Sequence, residues 1–162
     1  MKGKTCLVTG GSSGIGKATA LALAKMGAKV IIINCNPARG KAALEDIRAK
    51  SRNDAVHLMP ADLSSQTDIR RLVCEFKAEH NQLHVLVNVA GILSWKRRLS
   101  VDGLEMNLEL NYLAYFLLTN LLLDMLKKSA PSRIVNVTSV AHRWGRINFD
   151  NRQSEKGYNM FT

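Results

Sequence analysis

The sequence predicts an α/β fold built on one parallel, doubly wound sheet with helices on both faces. Three observations carry that prediction. Short β-branched apolar runs alternate with longer segments of helical periodicity. A glycine cluster stands between the first run and the first helix. The stretches joining successive runs are long enough to hold helices, so the crossovers should be right-handed. A length of 162 residues fits one domain, 1–162, with a real core.

The first strand is expected over Thr5–Thr9, followed by a glycine turn and a helix to about Met26, which Gly27 ends as a C-cap glycine. Val30–Ile33 reads as a continuous apolar strand buried on both faces. Pro37 suits the first turn of a helix running to about Lys50. Val56–Met59 is the third strand and leads to Asp62 and a loop. Ser65 is the N-cap of the next helix, in which Ile69, Leu72, Val73 and Phe76 share one face. Val85–Asn88 is the fourth strand and runs into Ala90-Gly91. A long helix around Asn111 follows, then a fifth strand over Arg133–Thr138, after which the pattern fades into a polar tail.

Composition narrows the classes. With 46% apolar and 22% charged residues the chain is of ordinary globular type. Cys6, Cys35 and Cys74 form no CxxC pair, which argues against zinc or disulfide frameworks and for a reducing compartment. His57, His80, His84 and His142 show no metal-ligand spacing and read as surface or loop residues, so no metal site is expected. The net charge is +10, and residues 1–50 hold nine Lys/Arg against two acids. That excess suits a phosphate-bearing cofactor, an anionic surface or simply a solvated face. No recognition motif accompanies it, so nucleic acid is not expected as a partner.

Met1 leads directly to the first strand with no apolar leader. The apolar stretch Leu108–Leu126 is interrupted by Glu109, Asn111, Asn120 and Asp124, costly residues in a bilayer, and reads as a buried amphipathic helix, not a transmembrane segment. Trp95, with Lys96-Arg97-Arg98 after it, is either an exposed loop or a contact for a lipid surface or substrate.

The chemistry concentrates in Thr9-Gly10-Gly11-Ser12-Ser13-Gly14-Ile15-Gly16. Missing Cβ atoms let the chain turn tightly and let a pyrophosphate approach the backbone, while the helix start offers unpaired N–H groups and a partial positive charge. A plain strand-to-helix turn is the alternative, and the GxxxGxG spacing at this place favours dinucleotide binding.

This spacing resembles the TGxxxGIG signature of the short-chain dehydrogenase/reductase family, and further matches follow in order. Asp62 in Ala-Asp-Leu resembles the adenine-contacting Asp of that family. Asn88-Val89-Ala90-Gly91 resembles its NNAG element, with Val89 in place of the second Asn and the strand-pinning Asn88 retained. Asn111 in Leu-Asn-Tyr-Leu resembles its catalytic Asn, and Ser139 in Val-Asn-Val-Thr-Ser its catalytic Ser. Asp102-Gly103-Leu104-Glu105, the run from Phe116 to Leu123, and Ser139 to His142 with Gly145 look like the retinol-dehydrogenase-type members.

The resemblance implies a Rossmann-type sheet of order 3-2-1-4-5, incomplete at its C-terminal side. It implies catalytic roles for Asn111 and Ser139. It implies cofactor contacts from Gly10, Ser12, Ser13, Gly14, Ile15, Gly16, Cys35, Arg39, Asp62, Leu63, Asn88, Ala90 and Gly91. The implied reaction interconverts alcohol and carbonyl groups on lipophilic, retinoid- or steroid-like substrates. The implied location is intracellular, cytoplasmic or at the endoplasmic reticulum. Peripheral membrane association and homo-oligomerisation of the complete protein stay open.

Cofactor choice can be argued physically. NAD-selecting sites place an acid after the second strand to hold both ribose hydroxyls. Here Asn34-Cys35-Asn36-Pro37-Ala38-Arg39 contains none, which permits a 2′-phosphate. Cys35 stands where NADP-using relatives carry Arg, so Arg39 or Lys41 would supply the positive charge. NADP is therefore expected, with NAD as the alternative.

In this family the proton moves through a Tyr whose pKa a nearby Lys lowers, in a YxxxK signature on one helical face. That pair is absent: four residues after Tyr158 stands Thr162. Tyr158-Asn159 resembles a noncatalytic pair that precedes the catalytic Tyr, and Tyr158 reads as a loop residue. The chain is thus expected to be a C-terminally shortened, inactive form of an oxidoreductase. The alternative is a noncatalytic dinucleotide-binding or regulatory protein. The missing helix should leave the fifth strand and one side of the Asn111 helix uncovered, and the isolated chain marginally stable.

Overall fold

The fold is described for residues 1–158 of a computed structural model; Asn159 of the Tyr-Asn pair lies outside them. Five strands, β1 (Thr5–Thr9), β2 (Lys29–Asn34), β3 (Val56–Pro60), β4 (Val85–Asn88) and β5 (Arg133–Asn136), form one parallel sheet in the order β3-β2-β1-β4-β5. This is the Rossmann-type order. Three helices, α1 (Gly14–Lys25), α2 (Pro37–Ser51) and α3 (Gln66–Glu79), cross over between strands, and the last crossover ends in α4 (Met106–Leu108), a π-helical turn Glu109–Leu113 and α5 (Ala114–Lys128).

Strand alternation sends neighbouring side chains to opposite faces. Cys6, Val8, Val30 and Ile32 pack with Ala20 and Ala24 of α1 and Ala43 and Ile47 of α2. Leu7, Ile31, Ile33 and Leu86 pack on the other face with Ile69, Leu72 and Phe76 of α3 and Leu118 and Leu122 of α5. Burial pushes the Cys6 thiol up to about 11, so it is an inert core group.

Local chemistry fixes the boundaries. Asn36 caps α2 by accepting from Arg39 N at 2.9 Å, with Pro37 in the first turn, and Ser65 caps α3 by accepting from Asp68 N at 3.3 Å. Gly27 closes α1 by donating to Ala24 O at 2.9 Å. Three sequence expectations need correction. β5 stops at Asn136, short of Thr138, because beyond Val137 the chain bends away toward the turn Val140–Arg143. The Asn111 helix is broken by the π turn, where the chain accommodates an extra residue. His80 and His84 do stand in the loop between α3 and β4, as half of that expectation has it, but they are buried and not at the surface. His84 Nδ1 accepts from Thr5 N at 3.0 Å, tying the start of β1 to β4, and His80 packs on the Phe76 ring at a centroid distance of 4.7 Å.

β5 is the sheet edge and is exposed along its length, with Ile134 and Val135 open to solvent. No helix among the described residues is long and apolar enough to cross a membrane.

One buried group works against stability. Glu109, in the π turn, is fully buried, and neither carboxylate oxygen has a hydrogen-bond partner among the described residues. Desolvation, with Asp102 nearby, raises its pKa above the ordinary carboxylate value. The folded chain therefore holds this proton more tightly than the unfolded one. Its contribution is most favourable below the unfolded value and is lost as pH rises through the folded pKa. Glu109→Leu is expected to stabilise the chain by about 1–3 kcal/mol at neutral pH. It should also flatten the fall of the melting temperature from acid to neutral pH, measured by thermal denaturation across pH.

Candidate cofactor and substrate site

The strand order reverses between β1 and β4, and ligands of open α/β sheets bind at such a switch point, outside the carboxyl ends of the strands. The segments leaving these two strands are Gly10–Gly16 and Val89–Gly91. Thr9 joins them. Its Oγ1 accepts from Val89 N at 2.8 Å and Ala90 N at 2.9 Å. A Cβ on Gly10 would lie 3.0 Å from Ala90 Cα, and a Cβ on Gly11 would lie 2.6 Å from Ile32 Cβ. A Cβ on Gly16 would collide with the Gly10 carbonyl oxygen. The turn is closed tightly enough that only glycine fits.

This turn delivers α1 without a side-chain cap: Ser13 makes no capping hydrogen bond, and the first helical turn carries no acid. Its free N–H groups and helix dipole face outward, the arrangement that accepts a phosphate. Asn34, at the end of β2, donates from Nδ2 to Ser12 Oγ at 2.5 Å and accepts from Asn36 N at 2.8 Å. It thereby fixes the glycine turn against the start of α2. A cavity of about 210 Å³ opens here, lined by Gly10, Ser13, Cys35, Arg39, Asp62, Leu63, Ala90 and Gly91 among others. Asp62 holds its own loop, Oδ1 accepting from Ser64 N at 2.9 Å and Ser64 Oγ at 2.7 Å.

A second cavity of about 730 Å³ lies between β5, the π turn and α5. Asn111 and Ser139 both line it. Asn111 is held at both ends of its amide, Oδ1 accepting from Ile92 N and Nδ2 donating to Ile92 O, each at 2.8 Å. The Ser139 hydroxyl oxygen accepts from Ala141 N at 3.2 Å. Asn88 reaches neither cavity. Fully buried, it donates to Thr119 Oγ1 at 3.2 Å and Asn136 Oδ1 at 2.8 Å, pinning β4 to α5 and β5.

A model of the short chain dehydrogenase family matches residues 4–157. The chain belongs to that family. Over 98% of its length it is 45% identical to human retinol dehydrogenase 11, covering 50% of that protein. Over 96% of its length it is 42% identical to human polyprenol dehydrogenase, covering 48% of that protein. The chain thus spans about half the length of the curated relatives it matches. Among solved structures, a Pseudomonas aeruginosa RhlG/NADP active-site complex is similar, with a TM-score of 0.77 and 32% identity over 96% of this chain and 60% of that one. An uncharacterized Mycobacterium paratuberculosis protein superposes with a TM-score of 0.83 at 33% identity, over 99% of this chain and 55% of that one.

Within this short chain dehydrogenase fold, the residues named from sequence divide by place. Gly10, Ser13, Cys35, Arg39, Asp62, Leu63, Ala90 and Gly91 share the smaller cavity, and Asn111 and Ser139 share the larger. Gly14, Ile15 and Gly16 form the first turn of α1, and Ser12 acts through Asn34. The sequence places Thr9 at the head of the glycine motif but gives its hydroxyl no role, although a polar end on an apolar strand is a signal for one. Sequence reasoning also passed over Tyr115 and Phe116, which line the larger cavity from α5. Tyr158 is a structural residue: its hydroxyl accepts from Asn107 Nδ2 at 2.7 Å and donates to Ser94 O at 2.6 Å.

Proposed function

We propose that the chain is the cofactor-binding part of an NADP-dependent oxidoreductase that interconverts alcohol and carbonyl groups on lipophilic, retinoid- or steroid-like substrates. The observation that carries the reading is the pairing of the two cavities at the strand switch point, one built from glycine turn, Arg39 and Asp62, the other apolar-walled with Asn111 and Ser139. When bound, the nicotinamide would supply or accept a hydride. Gly10, Ser13 and the uncapped start of α1 would hold its pyrophosphate, Asp62 and Leu63 the adenine, and Arg39 a 2′-phosphate. The volume of about 730 Å³ is in the range of small-molecule sites.

The Ser139 hydroxyl uses its oxygen locally, which leaves its proton to donate to a substrate oxygen. Asn111 fixes the Ile92 backbone at the mouth of the cavity. No YxxxK pair stands within these 162 residues. Tyr115 lines the cavity, but desolvation raises its phenol pKa, and Thr119, not Lys, stands four residues on. Negligible carbonyl reduction by these 162 residues alone is therefore part of the reading; a noncatalytic dinucleotide-binding protein is the second reading.

Isothermal titration of the 162-residue chain tests the cofactor assignment. NADPH should bind more tightly than NADH, and Arg39→Ala should weaken NADPH by about tenfold while leaving NADH unchanged. A clear preference for NADH would overturn it.

A further inference from the structure

We propose that the segment His80–His84, between α3 and β4, is an acid-released latch on the start of β1. Its backbone is held by its neighbours: His80 N donates to Phe76 O at 2.9 Å, Leu83 N to Ser129 Oγ at 3.0 Å, and His84 N to Thr5 O at 2.8 Å. The Leu83 side chain is fully buried in the core. The two histidines add a second grip, each reaching a neighbouring strand through Nδ1. His84 Nδ1 accepts from Thr5 N of β1 at 3.0 Å, and His80 Nδ1 stands 3.3 Å from Lys29 Nζ of β2.

The chemistry of the partners fixes the ring protons. A backbone N–H and an ammonium can only donate, so each Nδ1 is an unprotonated acceptor and the ring hydrogen sits on Nε2. Nδ1 is then the one basic nitrogen of each neutral ring, and it is already in use. A proton arriving on His84 turns the acceptor of Thr5 N into a second donor. A proton arriving on His80 sets an imidazolium against the Lys29 ammonium. His80 Nε2 is buried without a hydrogen-bond partner among the described residues, so no acceptor there offsets the new charge. Neither ring takes a proton without letting go of its strand.

The charged neighbours come from every element around the segment. Lys4, just before β1, opposes a charge on His84. Lys29 of β2 and His57 of β3 oppose one on His80, against Glu79 of α3, which favours it. Arg133 opens β5, its N donating to His84 O at 2.8 Å, and α5 ends in Lys127 and Lys128 just before Ser129. Burial first, then the nearby lysines, holds both imidazoles below their ordinary value of 6.5. The released segment therefore binds protons at higher pH than the closed one. The latch is closed above the ordinary value and weakens as pH falls below it. Glu109 acts in the opposite sense on the fold as a whole, so the release is read locally, at the seam. The strands joined there, β1 and β4, carry the glycine turn and Val89–Gly91 at their other ends.

Amide hydrogen exchange of the 162-residue chain, followed by NMR and corrected for the intrinsic exchange rate, reads the latch residue by residue. Between about pH 7.5 and about pH 5.5, protection at Thr5 should fall about tenfold relative to Ile31 in β2, the effect of one proton taken up on release. His84→Asn offers Oδ1 as an acceptor that does not titrate, so it should keep the protection at neutral pH and remove the fall. Ring-proton NMR of the unsubstituted chain, folded and in urea, decides the matter even where that variant fails to fold: both rings should titrate at lower pH in the folded chain. A ratio of Thr5 to Ile31 protection that stays level across the range overturns the inference. So does an equal fall in His84→Asn, or rings that titrate alike in the folded and unfolded chain.

Discussion

Gly16→Ala is expected to raise the dissociation constant for the dinucleotide by about a hundredfold or more, equivalent to about 2.7 kcal/mol of binding free energy. The reason is geometric. The added Cβ would occupy the space of the Gly10 carbonyl oxygen and would lie 3.2 Å from Thr9 O, so the turn must open. Opening it moves the Gly10 carbonyl and the start of α1 away from each other, and these are the two groups that shape the proposed phosphate cradle. Both neighbours are backbone, so no side-chain rotation can relieve the contact. Calorimetric titration with NADPH checks the affinity, and circular dichroism checks that α1 and the sheet persist. Unchanged affinity would mean that the pyrophosphate does not sit on this turn.

Thr9→Val is expected to destabilise the fold by about 1–3 kcal/mol, the cost of two part-buried N–H groups left without their acceptor. Valine keeps the shape and the strand preference of threonine, so the effect isolates the hydroxyl. The amides of Val89 and Ala90 now pair with that oxygen, which places the end of β4 beside the end of β1. In urea the midpoint should fall with the slope unchanged. Thr9→Ser should recover most of the loss because the acceptor returns. A valine variant as stable as the parent would show that the two amides find other partners.

Much of the architecture was legible in the sequence because burial and backbone chemistry are local signals. The Val30–Ile33 run declares a doubly covered strand, and it lies in the interior strand β2, buried on both faces. Pro37 and Ser65 announce helix starts, and α2 and α3 begin there, with Asn36 supplying the cap before Pro37. The order 3-2-1-4-5 followed from family resemblance, since strand order depends on contacts far apart in sequence. The same limit hid the roles of His84, Thr9 and Tyr158, whose partners lie 79, 80 and 64 residues away. Glu109 misleads for a related reason: a carboxylate in an apolar helix reads as an exposed interruption, whereas the π turn carries it inside.

The gathering of site residues into two cavities was readable only in part. The glycine turn, Asp62 and Ala90-Gly91 each follow a strand, so a parallel sheet brings them to one edge. Arg39 reaches that edge because Pro37 starts α2 immediately after β2. The 730 Å³ volume between β5 and α5 depends on where α5 turns after the π segment, and no periodicity records that.

The central claim is that a dinucleotide binds across the β1–β4 switch point. Amide chemical-shift mapping of the isotopically labelled 162-residue chain with NADP tests it most directly. Shifts should concentrate at Gly10–Gly16, Asp62–Leu63 and Ala90–Gly91, saturating together with one dissociation constant. Saturable shifts elsewhere, or none at these three segments, would contradict the account.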